Sequence, residues 1–173
     1  GKSAHDRGHQ CGGFSLRWQG GSGNDHIEGG TSIWEGIQAV APNAVLSPDG
    51  SAAESAEFDL AILVVGERPY AEGMGDIRTG DDVIVQAGSQ IRGLLKVLEP
   101  YGNTMVLADL HPEDLETITN ITAKGVPVVT VMVSGRPLVT NLELEASSAF
   151  VAAWLPGSEG QGVADVLFGD HGF

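Results

Sequence analysis

The feature that most constrains the fold is the continuously apolar run LAILVV, residues 60–65. A strand with one face in water alternates apolar and polar residues, whereas a strand covered by helices on both faces is apolar throughout. We therefore predict a buried strand over residues 59–67. Similar runs predict further strands over 104–110, 126–133 and 149–155, separated by segments with helical patterns. This alternation predicts an α/β fold, a three-layer sandwich in which a mostly parallel sheet is flanked by helices.

The helical segments carry apolar residues at helical spacing between capping and helix-breaking residues. In the first predicted helix, Thr31 or Ser32 is the cap and Pro42 marks the end. Ser158 is the predicted N-cap of the last helix. The remaining predictions are helices over 83–98, 112–124 and 143–148, a helical turn within 48–57, and a short strand over 44–46.

The charge balance excludes several classes of partner. The chain has 9 lysines and arginines against 23 aspartates and glutamates, a formal net charge of −14. Such a surface offers no basic patch for phosphates, so we expect no binding to nucleic acid and none to anionic membranes. A length of 173 residues with 42% hydrophobic content is typical of a single domain with a sizeable core.

The sequence predicts neither a metal site nor a cofactor. The five histidines show no metal-ligand spacing, and Cys11, the single cysteine, can form neither an intrachain disulfide nor a thiolate cluster. We expect Cys11 to be a small buried apolar residue. Residues 1–3, GKS, match only the end of a phosphate-binding loop, without its glycine-rich part, so nucleotide binding is disfavoured.

The loop after the first strand, residues 66–76, carries the carboxylates Glu67, Glu72 and Asp76 beside Tyr70. In an open α/β sheet, ligands bind at the loops that follow the carboxyl ends of the strands. Carboxylates and aromatic rings suit sugars, because hydroxyls donate to carboxylates and C–H faces stack on rings. Glycosidic cleavage needs two carboxyl groups. On spacing alone, the same side chains are equally well explained as solvated loop charges.

Four segments in one order along the chain resemble the second domain of glycoside hydrolase family 3, with the order and spacing of its exo-acting β-glucan glucohydrolases. They are residues 10–20 (QCGGFSLRWQG), 65–76 (VGERPYAEGMGD), 134–137 (SGRP) and 153–160 (AWLPGSEG). The resemblance covers nearly the whole chain. Residues 77–111 are longer than in plant relatives, and the resemblance does not place them.

The resemblance implies a set of site residues. The family's second domain is an α/β sandwich that packs against a TIM-like barrel, with the active site between the two. This domain supplies the general acid/base, which the Pro-Tyr-x-Glu motif assigns to Glu72, with Glu67 as the nearest competitor. The aromatic residue that clamps the sugar corresponds to Trp18. Phe14 stands where plant relatives have a second tryptophan.

The resemblance also implies a retaining mechanism, in which a carboxylate attacks the anomeric carbon while Glu72 protonates the departing oxygen and later activates water. The family's nucleophile is an aspartate of the barrel domain. A chain of 173 residues cannot hold the ~250 residues of a barrel as well. We therefore interpret residues 1–173 as a single α/β sandwich domain, a fragment of a larger enzyme whose first strand precedes Gly1.

As implied by the resemblance, the substrate is a β-glucoside or β-glucan oligosaccharide and the partner is the N-terminal barrel domain of the same enzyme. The family's usual location is secreted or periplasmic. The chain alone is expected to be inactive. Two other hypotheses about function remain: a non-catalytic carbohydrate-binding or enzyme-associated α/β module, and a flavodoxin-like nucleotide binder.

Several residues of the four segments are interpreted as structural. Arg136 is expected to be an ion-pair partner on the turn after a strand rather than a substrate ligand. Trp154, inside an apolar strand, and Trp34, on the apolar face of a helix, are both expected in the core. Glu67 and Asp76 are expected to be structural neighbours of Glu72.

Overall fold

A computed structural model describes residues 1–13, 15–25, 27–55, 57–75, 84–85, 97–98 and 103–173. Of residues 72, 84–85 and 97–98, it describes the backbone. The described chain forms an α/β fold whose helices and strands follow in this order: α1 Arg7–Cys11, α2 Ile33–Val40, β1 Ala61–Gly66, β2 Ile84–Val85, β3 Val97–Leu98, α3 Leu107–Leu110, α4 Pro112–Thr122, β4 Val128–Val133, α5 Asn141–Ala146, β5 Ala149–Trp154 and α6 Gly160–Phe168. Two single-turn 3₁₀ helices, Ser51–Glu54 and Glu72–Gly75, lie on either side of β1 along the chain.

The main sheet is parallel, with the strand order β1-β4-β5. Strand β4 lies in the middle and pairs with β1 from Ala61 opposite Val128 to Gly66 opposite Val133. Its pairing with β5 is interrupted by an irregularity beside Val133, which lies opposite Trp154. Because all three strands run in one direction, their carboxyl ends lie along one edge of the sheet.

Apolar side chains alternate between the two faces of the sheet, and helices cover both faces. Leu63 and Val65 contribute to one buried cluster, together with Ile118 of α4. Val64 contributes to the other cluster, with Ile33 of α2. The predicted three-layer α/β sandwich is therefore confirmed, and the apolar run in β1 is explained by burial on both faces.

Helix α2 begins and ends where the sequence predicts. The Ser32 hydroxyl accepts the Glu35 backbone N–H at 3.1 Å, and the Glu35 carboxylate accepts the Ser32 backbone N–H at 2.6 Å. This reciprocal capping box satisfies two donors that a helix start leaves unpaired. The helix ends at Val40, just before Ala41 and Pro42.

A buried glutamine ties the N-terminal segment to the sandwich. The Gln10 side-chain oxygen accepts the Ile33 N–H at 2.8 Å. Its amide nitrogen donates to the carbonyl oxygens of Thr31 and Gly157. These bonds connect α1, the start of α2 and the turn before α6, so residues 1–31 are held against the domain although most of them form loops.

Two predicted strands are wrong. Residues 107–110 form helix α3, in which Leu107 is fully buried. The described strand pairing in this segment is a single isolated bridge between Val106 and Val139, so the apolar run is explained by helix burial instead. Residues 44–46 form no strand in the described structure, because they pair with no neighbouring strand there. The predicted strands over 59–67, 126–133 and 149–155 correspond to β1, β4 and β5.

The helix predicted over residues 83–98 is wrong at its ends, where Ile84–Val85 and Val97–Leu98 pair as antiparallel strands. Residues 83 and 86–96 lie outside the described residues. The helices predicted over 112–124 and 143–148 correspond to α4 and α5, and the turn within 48–57 is the 3₁₀ helix Ser51–Glu54.

Two tryptophans expected in the core differ in their burial. Trp34 is partly buried and packs against the cluster under α2. Trp154 is 54% exposed, which corrects the expectation. Its backbone φ of 54° at the end of β5 turns the side chain away from the alternation that an extended strand would impose.

Two smaller predictions concern Cys11 and Ser158. Cys11 is 3% exposed, as expected for a small apolar residue. The expected cap at Ser158 is wrong: the residue preceding α6 is Glu159, which makes no side-chain capping bond, and the Ser158 hydroxyl donates to the Glu159 carboxylate.

No described helix is both long and apolar enough to cross a bilayer.

Candidate active site

Two loops meet beyond the carboxyl ends of β1 and β4. One comprises residues 67–75 and follows β1; the other comprises residues 12–20 and follows α1. The Ala71 backbone N–H donates to the side-chain oxygen of Gln19 at 3.2 Å, which joins them directly. This edge of a parallel sheet is where α/β proteins bind their ligands.

The two loops approach so closely that glycine is required at the contact. A Cβ atom on Gly13 would collide with the carbonyl oxygen of Tyr70. A Cβ atom on Gly20 would collide with the side chain of Pro69, and Gly20 also adopts a φ of 69°. The relative position of the two loops is therefore set by backbone packing as well as by the Gln19 bond.

The carboxylate of Glu67 accepts hydrogen bonds on both of its oxygens. The side chain of Arg136 donates to one oxygen of Glu67 from Nε at 3.0 Å and from Nη2 at 2.7 Å. The other oxygen lies 3.0 Å from the Tyr70 hydroxyl and 2.9 Å from the Ser134 hydroxyl. Glu67 is 3% exposed. The ion pair expected for Arg136 is thus confirmed, with Glu67 as its partner.

The guanidinium of Arg136 makes two further contacts with the loop after β1. Its Nη1 donates to the carbonyl oxygen of Gly75 at 2.5 Å. The guanidinium carbon, Cζ, lies 5.1 Å from the centre of the Tyr70 ring, a distance typical of a cation–π contact. We call Glu67, Tyr70, Ser134 and Arg136 the clamp cluster.

Glu72 begins the 3₁₀ turn Glu72–Gly75, between the two points at which this loop is held. Ala71, fully buried, precedes it and is bonded to Gln19. Gly75, bonded to Arg136, ends the turn. The backbone that carries Glu72 is therefore anchored on both sides.

Trp18 lies on the neighbouring loop, next to Gln19, and is 54% exposed. An indole ring with this exposure has area available for stacking on the C–H face of a sugar. The structure thus brings the loop of Trp18 into contact with the loop of Glu72. Two residues named from the sequence, Phe14 and Asp76, lie outside the described residues.

A cavity of about 70 Å³ lies between the loops. Glu67, Tyr70, Ser134 and Leu155 are among its lining residues. Pockets that enclose a small organic ligand have volumes of roughly 300–1,000 Å³. The described residues at this edge therefore do not by themselves enclose a pocket of that size.

A group of possible metal ligands lies away from this edge, at the start of α4. It consists of His111, Glu113 and Asp114. The Lys2 ammonium lies 2.6 Å from a Glu113 oxygen and 3.0 Å from an Asp114 oxygen, so a cationic group already occupies this place. Burial acts to raise the pKa of Glu113, but the hydrogen bonds from Lys2, from the Glu113 backbone and from His111, together with the charge of Lys2, lower that pKa to about 2.

Sequence reasoning missed the roles of Gln19 and Ser134. Both belong to the segments that carry the family resemblance, but their partners, Ala71 and Glu67, are 52 and 67 residues away. The available signal was a polar residue inside each otherwise aromatic or glycine-rich segment, and that signal does not identify a partner.

Comparison with known proteins gives the same assignment along the whole chain. The sequence model described as glycosyl hydrolase family 3 C-terminal domain matches residues 1–173. The lysosomal beta glucosidase of Dictyostelium discoideum is 27% identical over 179 residues, covering 92% of this chain and 18% of that protein. The periplasmic beta-glucosidase of Salmonella typhimurium is 35% identical over 91 residues, covering 52% of this chain and 11% of that protein.

Among solved structures, a mutant of the exo-1,3/1,4-beta-glucanase of a Pseudoalteromonas species is similar, with a TM-score of 0.76 and 40% sequence identity. The match covers 96% of this chain and 23% of that one. The chain thus spans between 11% and 23% of the length of these relatives.

Proposed function

Because this chain belongs to glycosyl hydrolase family 3, as its C-terminal domain, we propose that Glu72 is the general acid/base of a retaining exo-β-glucosidase or β-glucan glucohydrolase. The observation that carries the proposal is the position of Glu72. It lies on the loop after β1, at the carboxyl edge of the parallel sheet, between two anchored residues. A proton donor needs such a fixed backbone, because protonation requires the acid within hydrogen-bond reach of the leaving oxygen.

In this mechanism Glu72 acts twice. It first protonates the glycosidic oxygen while a carboxylate of the barrel domain attacks the anomeric carbon, and a covalent glycosyl-enzyme forms. Glu72, now ionised, then removes a proton from the water that hydrolyses the intermediate. The chain alone lacks the nucleophile and is inactive, so hydrolysis of terminal β-glucosyl residues requires the barrel domain.

Trp18 is the proposed sugar platform in the adjoining subsite, with Phe14 as a second aromatic contact. The exposure of Trp18 and its position beside Gln19 support this role, since Gln19 bonds to the residue that precedes Glu72. Stacking of C–H groups on an indole ring orients the sugar without restricting its hydroxyls. The leaving-group sugar would then lie between Trp18 and the acid.

The bonding of Glu67 argues against it as the acid. Its two oxygens receive hydrogen bonds from Arg136, Tyr70 and Ser134, and the side chain is 3% exposed. A proton on Glu67 would remove at least one of these bonds and leave the Arg136 charge poorly compensated. Glu67 therefore fits a structural role.

The proposed substrate class is β-glucosides and β-glucan oligosaccharides, and the proposed location is secreted or periplasmic. Relatives named as beta-glucosidases and as an exo-1,3/1,4-beta-glucanase support the substrate class. A relative named as periplasmic supports the location.

The test is the Glu72→Gln substitution in the full-length enzyme. For an alkyl or oligosaccharide β-glucoside, whose departing oxygen needs a proton, we expect kcat/KM to fall by roughly 10²–10⁴-fold, the usual contribution of general acid catalysis. For a dinitrophenyl β-glucoside, whose leaving group departs as an anion, the same variant should form the glycosyl-enzyme much faster than it does from the unactivated substrate. The matched control is Glu54→Gln, which changes an exposed carboxylate that precedes β1 in the chain.

A Glu72→Ala variant adds a product test. Azide needs no general base, so it should attack the glycosyl-enzyme and give β-glucosyl azide, which the unsubstituted enzyme should not accumulate. Unchanged hydrolysis of unactivated glucosides by Glu72→Gln would exclude the acid/base role and leave the alternative of a non-catalytic carbohydrate-binding module.

A further inference from the structure

We propose that Arg136 is a positioning residue for the proton transfer, acting through the backbone on which Glu72 lies. The inference rests on the proposed acid/base function of Glu72. Arg136 lies on a different loop, the one that follows β4, and contacts the Glu72 loop at Glu67 and at Gly75. One guanidinium thus holds the chain five residues before Glu72 and three residues after it.

The geometry of these contacts depends on the planar guanidinium. Nε and Nη2 donate to one oxygen of Glu67, while Nη1 donates to the Gly75 carbonyl oxygen. Three donors in one rigid plane fix two acceptors in direction as well as in distance. A lysine ammonium in this place carries the same charge, but its donors diverge from a single atom and cannot reproduce the arrangement.

Burial makes the pair effective as a fixed support. The side chains of Arg136 and Glu67 are 11% and 1% exposed, respectively. At this depth the ion pair is screened far less by solvent and salt than a surface pair. Tyr70 adds a hydroxyl bond to Glu67 and a ring face under Arg136, so the middle of the loop is held by the same cluster.

The support from Arg136 is separate from the support at the other side of the turn. Gln19 holds Ala71 from the loop of Trp18, whereas Arg136 holds Gly75 from the end of β4. Loss of Arg136 therefore releases the distal end of the turn while Ala71 stays bonded. The expected consequence is a displaced or mobile acid with an intact sugar platform.

The experiment compares two substrates in the full-length enzyme carrying Arg136→Lys. With an unactivated β-glucoside, we expect kcat/KM to fall by roughly 10–100-fold, since a displacement of about 1 Å in a reacting group can cost 10²-fold. With a dinitrophenyl β-glucoside, the expected loss is within about threefold, because its departure does not require the proton. The matched control is Lys2→Met, which removes the ion pairs with Glu113 and Asp114, away from this edge of the sheet, and should change kcat/KM for neither substrate.

A double-substitution cycle separates positioning from general structural support. In a Glu72→Gln background, Arg136→Lys should cause no further loss on the unactivated substrate, because the group through which it acts is already absent. An equal loss on both substrates, or the same factor in both backgrounds, would overturn the proposal.

If Arg136→Lys does not fold, Tyr70→Phe provides the second variant, since it removes the hydroxyl bond to Glu67 and keeps the ring under Arg136. It should show the same substrate selectivity with a smaller loss, and a loss that is equal for both substrates would again overturn the proposal. The two hypotheses fail differently. If Glu72→Gln slows only the unactivated substrate while Arg136→Lys and Tyr70→Phe slow both substrates equally, only the positioning role is excluded. If Glu72→Gln itself slows both substrates equally, the acid/base function is excluded.

Discussion

At the scale of single residues, Gln19 connects the loop of Trp18 with the loop of Glu72. Its side-chain oxygen accepts the Ala71 N–H, and its own backbone has a φ of 65°, which is uncommon outside glycine and asparagine. A buried N–H that loses its acceptor costs about 1–3 kcal/mol. The contact is therefore a sensitive point for both stability and the geometry between the two loops.

We predict that Gln19→Asn weakens this contact without straining the backbone, because asparagine tolerates positive φ but its amide is one methylene shorter. The melting temperature should fall. Given the proposed role of Trp18, KM for a glucan oligosaccharide should rise more than KM for methyl β-glucoside, whose leaving group is too small to stack on the indole ring. The comparison is Gln161→Ala on α6, whose side chain bonds to Asp165 within the same helix. This substitution should cost a few tenths of a kcal/mol. Equal KM values for unsubstituted and Gln19→Asn enzyme on both substrates would contradict the link between the loops.

Some features of the candidate site follow from the local sequence, and others depend on the folded sheet. A motif predicts roles for Glu72 and Trp18 that stay predictions, and a turn after a strand predicted the ion pair that Arg136 makes. The partner, Glu67, is 69 residues away and comes into reach because Gly66 and Val133 lie opposite each other in the parallel pairing of β1 and β4. Such register is a property of the folded sheet, and no local spacing encodes it.

At the scale of secondary-structure elements, prediction succeeded where a local chemical signal defines both ends. Helix α2 has a serine cap, a glutamate in its first turn and a proline after its end, and each signal acts within a few residues. The segment 104–110 offered only a short apolar run, which is compatible with either a strand or a buried helix. Its outcome, α3, depended on tertiary contacts of Leu107.

The exposed Trp154 illustrates the same limit within a correctly predicted strand. The run of apolar residues in β5 predicts inward-facing side chains, but an irregularity in the pairing with β4 places Trp154 opposite Val133 with a positive φ. A β-bulge re-aims the side chain that follows it, and it depends on both strands of the pair. The sequence of β5 alone therefore could not predict the exposure.

The capping box of α2 makes a prediction about pH. The hydrogen bond from the Ser32 N–H to the Glu35 carboxylate lowers the pKa of Glu35 below its usual range. A carboxyl group with a lowered folded-state pKa stabilises the fold above its unfolded-state pKa, and this contribution is lost as pH falls through the folded-state value. Glu35→Gln keeps a side chain that can accept the bond but removes the charge.

We therefore expect the unsubstituted protein to have a higher melting temperature than Glu35→Gln at pH 7. The difference between the two melting temperatures should shrink steadily below about pH 4.5. The measurement is differential scanning fluorimetry of the full-length protein at several pH values. Glu54→Gln, at an exposed carboxylate outside any capping box, serves as the control. A difference that stays constant down to about pH 3, below the usual carboxyl range, would show that the ionised carboxylate does not contribute.

At the scale of the whole molecule, β1 is an edge of the described sheet, although its apolar sequence is that of an interior strand. A groove of about 400 Å³ is lined by part of this strand and by the residues before it, 57–63, together with residues 44–47 and Trp34. At one end of the groove, the Gly1 nitrogen bonds to the Ser47 carbonyl oxygen. An apolar groove beside an unpaired strand edge favours association with another strand.

We predict that the residues preceding Gly1 in the full-length enzyme form a strand parallel to β1 that fills this groove and ends at Gly1. The start of the chain lies against β1, because the Ser3 N–H donates to the Val64 carbonyl oxygen. We expect the added strand to be parallel because β1, β4 and β5 are all parallel. A strand of the usual length, about 5–6 residues, would match the length of β1. It would also give residues 44–46 the strand partner that they lack in the described structure.

The comparison is between residues 1–173 alone and the same chain extended upstream by about 15 residues of its parent protein, enough for one strand and its lead-in. We expect the unextended chain to bind a hydrophobic dye and to self-associate in sedimentation, because its groove and the edge of β1 are open. The extended chain should be monomeric and melt at a higher temperature. An extension in which the apolar residues are replaced by serine controls for length, and it should behave like the unextended chain. If the unextended chain were monomeric, bound no dye and melted cooperatively at the same temperature as the extended one, the groove would need no strand to complete it.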